Sequence, residues 1–411
     1  MNLKNKLILD CRPSAAYNGW PLKGETRGGH IPGAVSFPER WFGEYPAEKC
    51  LELLKSKGIS PGTPLTITGY EAHEILSTVQ YLKQLGFTEF IIHEDRMLSW
   101  AAIADQALAS LPRYEQLVHP AWLKALLADK TAKNHILAHV SFDNWGDYDE
   151  GHIPSAIWLD TLALEDETTW NHRDASELEE ELAGHGITAD TQVILYGRTA
   201  DPNMSQDHPG QRAGQLASMR AALLLMYAGV KDVRVLDGGL GAWLKAGGAI
   251  TRTEYLPVPV SSTGLNIPEQ SQLIISTDQA KEYISDPNSE LVSVRSWEEF
   301  IGKVSGYHYI KKKGRIPGAV FGNCGSDAYH MENYRNSDDT MRGFPEIEQF
   351  FNELGITSDK QISFYCGTGW RGSEAFFCAW IMGWEAVSLY DGGWFEWSND
   401  EHNPTETGIP E

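Results

Sequence analysis

The sequence predicts an α/β protein made of three tandem units, each a parallel sheet flanked by helices. One turn recurs three times, as Gly29-His30-Ile31-Pro32-Gly33-Ala34, Gly151-His152-Ile153-Pro154-Ser155-Ala156 and Gly314-Arg315-Ile316-Pro317-Gly318-Ala319. Around each turn, short apolar runs alternate with helical patterns, which indicates βαβ connections and parallel pairing. The chain has 411 residues, too many for a single core and enough for two to four domains. A repeat of this length makes the count three.

The first unit opens on the apolar run Leu7-Ile8-Leu9-Asp10-Cys11-Arg12, continues through its turn and a helix to Gly58-Ile59, and reaches a second strand at Leu65 to Thr68. It closes on Glu94-Asp95-Arg96 with Trp100. The second unit repeats this with a strand over 136–140, the pair Gly186-Ile187, a strand from Val193 to Tyr196, and Asp237-Gly238-Gly239 with Trp243. The third has a strand over 291–295, Gly355-Ile356, a strand from Ile362 to Tyr365, and Asp391-Gly392-Gly393 with Trp397. An extra strand and helix precede the second and third units, over 116–130 and 273–285, and the first unit has none. Turn residues gather at Leu111-Pro112-Arg113, and at 256–270 with Pro257, Pro259 and Pro268, so the expected domains are 1–112, 113–257 and 271–411. The second unit spends 40 residues between Gly197 and Asp237 where the others spend 25. The excess falls at 198–211, rich in Asp, Pro, Asn, Gly and Gln, and reads as a surface loop, with a lid over the third unit's site as the alternative.

The formal net charge of −22 argues against nucleic acid and membrane surfaces, both polyanionic. Five cysteines without a Cys-x-x-Cys pair do not make a disulfide framework, so reduced thiols are expected. No His/Cys cluster has metal spacing: His135 and His139 lie on a predicted strand. No cofactor is expected. No run approaches membrane-spanning length, and a monomer is expected. The chain as given suits the cytoplasm, with the periplasm the alternative if an export signal has been removed.

The residue after the middle strand differs between units: Gly69, Gly197 and Cys366. In the third, Phe364-Tyr365-Cys366-Gly367-Thr368-Gly369-Trp370-Arg371-Gly372-Ser373-Glu374 runs from strand into helix. Loop N–H groups there converge on one small volume that favours an anion. Together with the helix dipole and Arg371, they stabilise a thiolate on Cys366. The spacing is Cys-x4-Arg. Cysteine phosphatases use a loop one residue longer, so a phosphatase is disfavoured and a sulfur-sized anion suits the tighter ring.

These features resemble the rhodanese superfamily of sulfurtransferases, through the Cys366 loop, the three Ile-Pro turns and the Asp-Gly-Gly turns. The arrangement, armed only in its last copy, is similar to three-repeat bacterial sulfurtransferases of the YnjE type. The resemblance implies three rhodanese-like domains, catalysis by Cys366 through a persulfide, and a loop formed by Gly367, Thr368, Gly369, Trp370 and Arg371 that binds the substrate sulfur. It implies 3-mercaptopyruvate or thiosulfate as the small-molecule donor and a thiol, cyanide or a protein as acceptor. Gly367 and Thr368 are neutral where thiosulfate-preferring relatives carry basic residues, and Cys-Gly-Thr-Gly is similar to mercaptopyruvate-type loops. Trp370 and Arg371 depart from that type. Arg295 matches the arginine that mercaptopyruvate enzymes use for the substrate carboxylate, and an ion pair with Glu298 or Glu299 is the competing expectation. Arg371 is expected as charge partner or loop brace, with a structural salt bridge as the alternative. Cys324 is the best second thiol, and Lys311, Lys312 and Lys313 suit a solvated face. Asp160 and His172 lie where the second unit could wall the site, and neither is taken as a site residue. The rival to an enzyme is a persulfide-carrying relay protein for one partner, with low turnover alone.

Overall fold

The computed structural model describes residues 7–93, 96–198 and 214–410. It contains three parallel sheets flanked by helices, as the repeat predicts. The first sheet has strands β1 (Leu7–Asp10), β2 (Ala34–Ser36), β3 (Leu65–Thr68) and β4 (Phe90–Ile92) in the order β2-β1-β3-β4. The second has β5 (Leu117–Val118), β6 (His135–Ser141), β7 (Ile157–Asp160), β8 (Gln192–Tyr196) and β9 (Asp232–Leu236) in the order β5-β9-β8-β6-β7. The third has β10 (Ile274–Ile275), β11 (Ser289–Ser293), β12 (Val320–Phe321), β13 (Gln361–Tyr365) and β14 (Val387–Tyr390) in the order β10-β14-β13-β11-β12. The two five-stranded sheets carry the edge strand, β5 or β10, that the extra leading segments predict.

Register places the three loops at one topological point. Asp10 pairs with Thr68, His139 with Tyr196 and Ser293 with Tyr365, so Gly69, Gly197 and Cys366 each leave the C-terminal end of the corresponding middle strand. Ligands of parallel sheets bind at such ends.

The chain divides into two compact units, Met1–Tyr114 together with Gly343–Glu348, and Glu115–Arg342 together with Gln349–Glu411. The first is built on a core that includes Leu9, Phe37, Trp41, Leu54, Ile67 and Leu82. In the second, the two five-stranded sheets meet where helix Leu216–Ala228 packs against helix Trp370–Ile381. Every residue of the former helix is buried, as its nearly all-round apolar sequence requires. The expected loop at 198–211 lies outside the described residues apart from Arg198, and Glu94 and Asp95 of the first closing turn lie outside them too. Lys311, Lys312 and Lys313 are exposed. Among the described residues no helix is long and apolar enough to cross a membrane.

Candidate active site

The Cys366 loop is shorter than its sequence suggests. Strand β13 ends at Tyr365 and the helix already begins at Trp370, so Trp370 and Arg371 belong to the first helical turn rather than to a loop before it. The first N–H groups of a helix have no intrahelical acceptor, and here they follow directly on Cys366, which is fully buried. Two glycines make the turn possible. Gly369 has φ +92°, a left-handed conformation that favours glycine. At Gly367 an added Cβ would lie 2.2 Å from the Tyr307 ring. The loop carbonyls are tied back by the following Asp-Gly-Gly turn, where Trp394 N–H donates to the Cys366 carbonyl at 2.8 Å and Phe395 N–H to that of Gly367 at 2.9 Å.

Arg371 and Arg295 converge on one buried carboxylate, Glu299. Arg371 makes a two-pronged contact, Nη1 and Nη2 each 2.9 Å from a Glu299 oxygen. Arg295 Nε donates to Glu299 at 3.2 Å, and its other nitrogens donate to the carbonyls of Gly314 at 2.7 Å and Ser305 at 3.2 Å. Glu299 also completes a capping box with Ser296 at the start of helix Trp297–Phe300. Burial pushes its carboxyl up, but Arg371 and Arg295 outweigh that and hold it at about 2. Of the two expectations for Arg295, the structure contains the ion pair with Glu299, and the guanidinium is buried and engaged on all three nitrogens. Of the readings offered for Arg371 the structure contains the salt bridge, to Glu299, and among the described residues its buried Nε has no hydrogen-bond partner. Two guanidinium groups against one carboxylate leave this cluster with an excess positive charge, which favours an anion beside it. Cys324 lies 3.2 Å from Arg371 Nη1, and burial pushes its thiol up to about 12, so it is a neutral thiol.

A ring of aromatic side chains runs from the loop to the first turn of the helix that follows it. Tyr307 packs on Gly367 and stacks on Tyr309 at 5.3 Å. Tyr309 stacks on Trp170 at 5.3 Å. Trp170 meets Phe142 at 5.5 Å, and Phe142 meets Trp370 at 5.9 Å. Phe142, Tyr307 and Trp370 are buried, whereas Trp170 and Tyr309 are partly exposed.

Phe142 and Trp170 come from the second sheet's segment, as do Glu165 and Arg220, and sequence reasoning missed all four. Arg220 donates to Glu165 at 2.9 Å and to Asp391 at 2.6 Å. Glu165 accepts the Trp370 indole N–H at 3.0 and 3.1 Å. Of Asp160 and His172, neither of them expected as a site residue, His172 donates its backbone N–H to Asp391 at 2.8 Å. Asp160 instead caps its own turn, accepting from Asp143 and Leu162. The signal for Arg220 was legible: it is a lone charge in the apolar run Leu216–Ala228, and a buried guanidinium needs a partner.

A profile of the Rhodanese-like domain matches residues 1–103, 119–246 and 276–400. The thiosulfate sulfurtransferase YnjE of Escherichia coli K12 is 40% identical over 411 residues, covering 98% of this chain and 90% of that protein. Among solved structures, the anaerobic ergothioneine biosynthesis enzyme from Chlorobium limicola, in complex with its natural substrate trimethyl histidine, superposes with a TM-score of 0.95 at 44% identity, over 99% of this chain and 96% of that one. EanB with a persulfide on its cysteine, a phenylalanine replacing one tyrosine, and ergothioneine superposes with a TM-score of 0.95 at 44% identity, over 99% of this chain and 97% of that one. EanB has also been solved with hercynine after a threonine was changed to valine.

Proposed function

The chain belongs to the rhodanese-like domain family, three copies in one polypeptide, and is a sulfurtransferase; from this premise we propose that Cys366 takes a sulfane sulfur as a persulfide and passes it to the imidazole C2 of a trimethylated histidine. The observation that carries the acceptor is the aromatic ring on the Cys366 loop. Its faces suit a quaternary ammonium group, which is held by ring quadrupoles and needs no counter-charge. The nearby cations Arg371 and Arg295 share Glu299, and their remaining positive charge is balanced by the persulfide anion on Cys366.

The solved relatives support this reading. In EanB the substituted tyrosine lies 59 residues before the persulfide cysteine and the substituted threonine two after it. Tyr307 and Thr368 stand at those same spacings from Cys366. Thiosulfate as the donor is supported by the YnjE likeness, and 3-mercaptopyruvate by the Cys-Gly-Thr-Gly loop.

In the first step the Cys366 thiolate attacks the donor's outer sulfur, and the bond to that sulfur breaks. Sulfite leaves with the electron pair when the donor is thiosulfate, and the enolate of pyruvate leaves when it is 3-mercaptopyruvate. In the second step a new bond joins the outer sulfur to the acceptor's C2. The persulfide S–S bond breaks with its electron pair going to Cys366, and the C2 proton neutralises the released thiolate. No external oxidant or reductant is consumed. The loop N–H groups, Arg371 and the helix dipole stabilise the anion in both resting forms. Thr368 and Tyr309 line the approach, and ping-pong kinetics follow. On this reading residues 271–411 carry the chemistry, 113–257 wall the site, and 1–112 has no chemical part.

A second reading, transfer from thiosulfate or 3-mercaptopyruvate to a small thiol or cyanide, is favoured by the YnjE likeness. A protein acceptor fits less well, since Cys366 is fully buried behind Tyr307 and Trp370. The deciding experiment is single turnover: protein loaded with thiosulfate is freed of donor and mixed with hercynine, glutathione or cyanide. Ergothioneine at about one equivalent, absent in Cys366→Ser, is the expected result. Sulfur passing to glutathione or cyanide and never to hercynine would replace the first reading with the second.

A further inference from the structure

The second domain carries Gly197 where the third carries Cys366, yet its helix Leu216–Ala228 sends Arg220 into the third domain's site. We propose that Glu165 and Arg220 are positioning residues for persulfide transfer, holding Trp370 and Gly369 so that the Cys366 loop keeps its anion-binding shape. The inference rests on the persulfide reading above and deepens it.

The geometry is specific. The Arg220 guanidinium spans three elements, donating to Glu165 at 2.9 Å, to Asp391 at 2.6 Å and to the Trp170 carbonyl at 3.1 Å. It also covers the loop itself: a Cβ on Gly369 would stand 2.9 Å from Arg220 Nη1, so the left-handed turn that starts the helix is closed from outside by this side chain. Glu165 then fixes Trp370 by its indole N–H. Trp370 lies between Gly369 and Arg371, so its rotation would carry both along. Arg220 and Glu165 have no exposed surface, and their engagement leaves no solvent-facing alternative. A displacement of about 1 Å at a reacting group costs on the order of 100-fold in rate, which is the scale on which such a brace acts.

Glu165 is faced by Arg220 from helix Leu216–Ala228, by Trp370 from helix Trp370–Ile381 and by Thr161 from the turn after β7. Beyond Arg220 stands Asp391, whose second oxygen takes the His172 N–H. Burial raises Glu165 against the pull of Arg220, to about 7. The brace is complete while Glu165 is ionised and loosens as pH falls through that value.

The test compares wild type with Glu165→Gln and Arg220→Lys in the full chain. Glutamine keeps the volume and an acceptor for Trp370 but removes the charge that holds Arg220, while lysine keeps the charge and loses the fork. Persulfide loading of Cys366 by thiosulfate is followed by intact mass as a gain of ~32 Da, with thermal midpoints measured alongside. The expected result is a loading rate lowered at least about tenfold in Glu165→Gln and by less in Arg220→Lys. The wild-type to Glu165→Gln rate ratio should rise as pH increases through about 7. Equal loading rates at all pH values, or a lower thermal midpoint with unchanged loading, would overturn the inference. Alkylation of Cys366 by iodoacetate relative to iodoacetamide reads the loop's anion preference independently of any sulfur donor. Should wild type fail to load, the persulfide reading falls while the alkylation ratio still decides the brace: a ratio unchanged in Glu165→Gln refutes it, and a reduced ratio supports it.

Discussion

The second and third domains have the same sheet order and the same strand register, but only one presents a sulfur. In the third, β13 ends in Tyr365 and Cys366 follows. In the second, β8 ends in Tyr196 and Gly197 follows, with an added Cβ 3.0 Å from both the Gln215 Cα and the Gly214 carbonyl. The backbone has closed over the place where a thiol would stand. Below it, His139 occupies the register position of Ser293, fully buried and, among the described residues, with neither ring nitrogen bonded, and burial lowers it to about 3, so it is neutral. The cationic support has been redirected as well. Arg198 donates to the carbonyl of Gly151 at 3.0 Å, just as Arg295 donates to that of Gly314 and Arg12 to that of Gly29. Each domain thus ties its recurrent turn with one arginine. What sets the third domain apart is the second arginine, Arg371, held on Glu299.

The largest effect separates the loops outright. Cys366→Ser should lose persulfide loading by at least about 1,000-fold, with little change in thermal midpoint because the side chain is nearly isosteric. Adding Gly197→Cys to that variant should not restore loading, and should cost about 1–3 kcal/mol by overpacking; a ~32 Da gain that maps to residue 197 would show that the second loop is merely unarmed rather than closed. Next comes Glu299→Gln, which leaves Arg371 and Arg295 without their carboxylate and should cost about 3–5 kcal/mol. The sign with pH follows from the depressed carboxyl: its contribution is complete above the unfolded value of 4.5 and is lost as pH falls toward about 2. The variant should therefore lose the part of acid destabilisation that falls in that window. An acid-unfolding curve parallel to wild type across it would dismiss Glu299 as the hub.

Trp170 tests the wall that the second domain lends to the third. Trp170→Leu should raise KM for hercynine about tenfold, the loss of roughly 1–2 kcal/mol of cation–π and ring contact, and leave thiosulfate loading of Cys366 intact. If loading falls as much as transfer, the ring supports the loop and does not receive a quaternary ammonium group.

How far the chain could be read without coordinates follows from the range of each interaction. The three domains, the strand-to-helix loop and the Cys-x4-Arg spacing are local patterns, visible in a dozen residues. Arg295 has two competing readings, a substrate carboxylate or an ion pair, and sequence cannot choose because its partner is decided within one turn: Ser296 and Glu299 form a Ser-x-x-Glu capping box, and the box carries the carboxylate back to Arg295. Phe142, Glu165, Trp170 and Arg220 lie far from Cys366 in sequence and reach it only through the packing of two helices. Pattern alone does not encode that packing, although a lone arginine in an apolar helix announces that a partner exists. The early helix start at Trp370 was hidden because Gly369 and Gly372 look like loop residues, while the left-handed Gly369 is the point from which the helix begins.

The smallest effect concerns the first domain, where the loop is closed by a different device. A Cβ on Gly69 would stand 2.7 Å from the Cys11 Sγ and 3.1 Å from the Ile75 Cγ1. Cys11 follows β1 at the place of Val294 in the third domain, and burial with the nearby Asp10 raises its thiol to about 12, so it fills space as a neutral group. The blunt loop here is a matter of one sulfur atom in the way, where in the second domain it is backbone. Gly69→Ala should accordingly destabilise by about 1–2 kcal/mol through overpacking. In a Cys11→Ala background the same change should cost less, by a coupling of about 0.5–1 kcal/mol, because the sulfur has gone and only Ile75 remains close. Thermal or urea unfolding of the four proteins in the cycle measures this, and strictly additive costs would mean that Cys11 does not hold residue 69 to glycine. Since backbone at Gly197 has no side chain to remove, no single truncation should relieve Gly197→Ala in the same way. That asymmetry distinguishes a loop closed by a side chain from one closed by the fold.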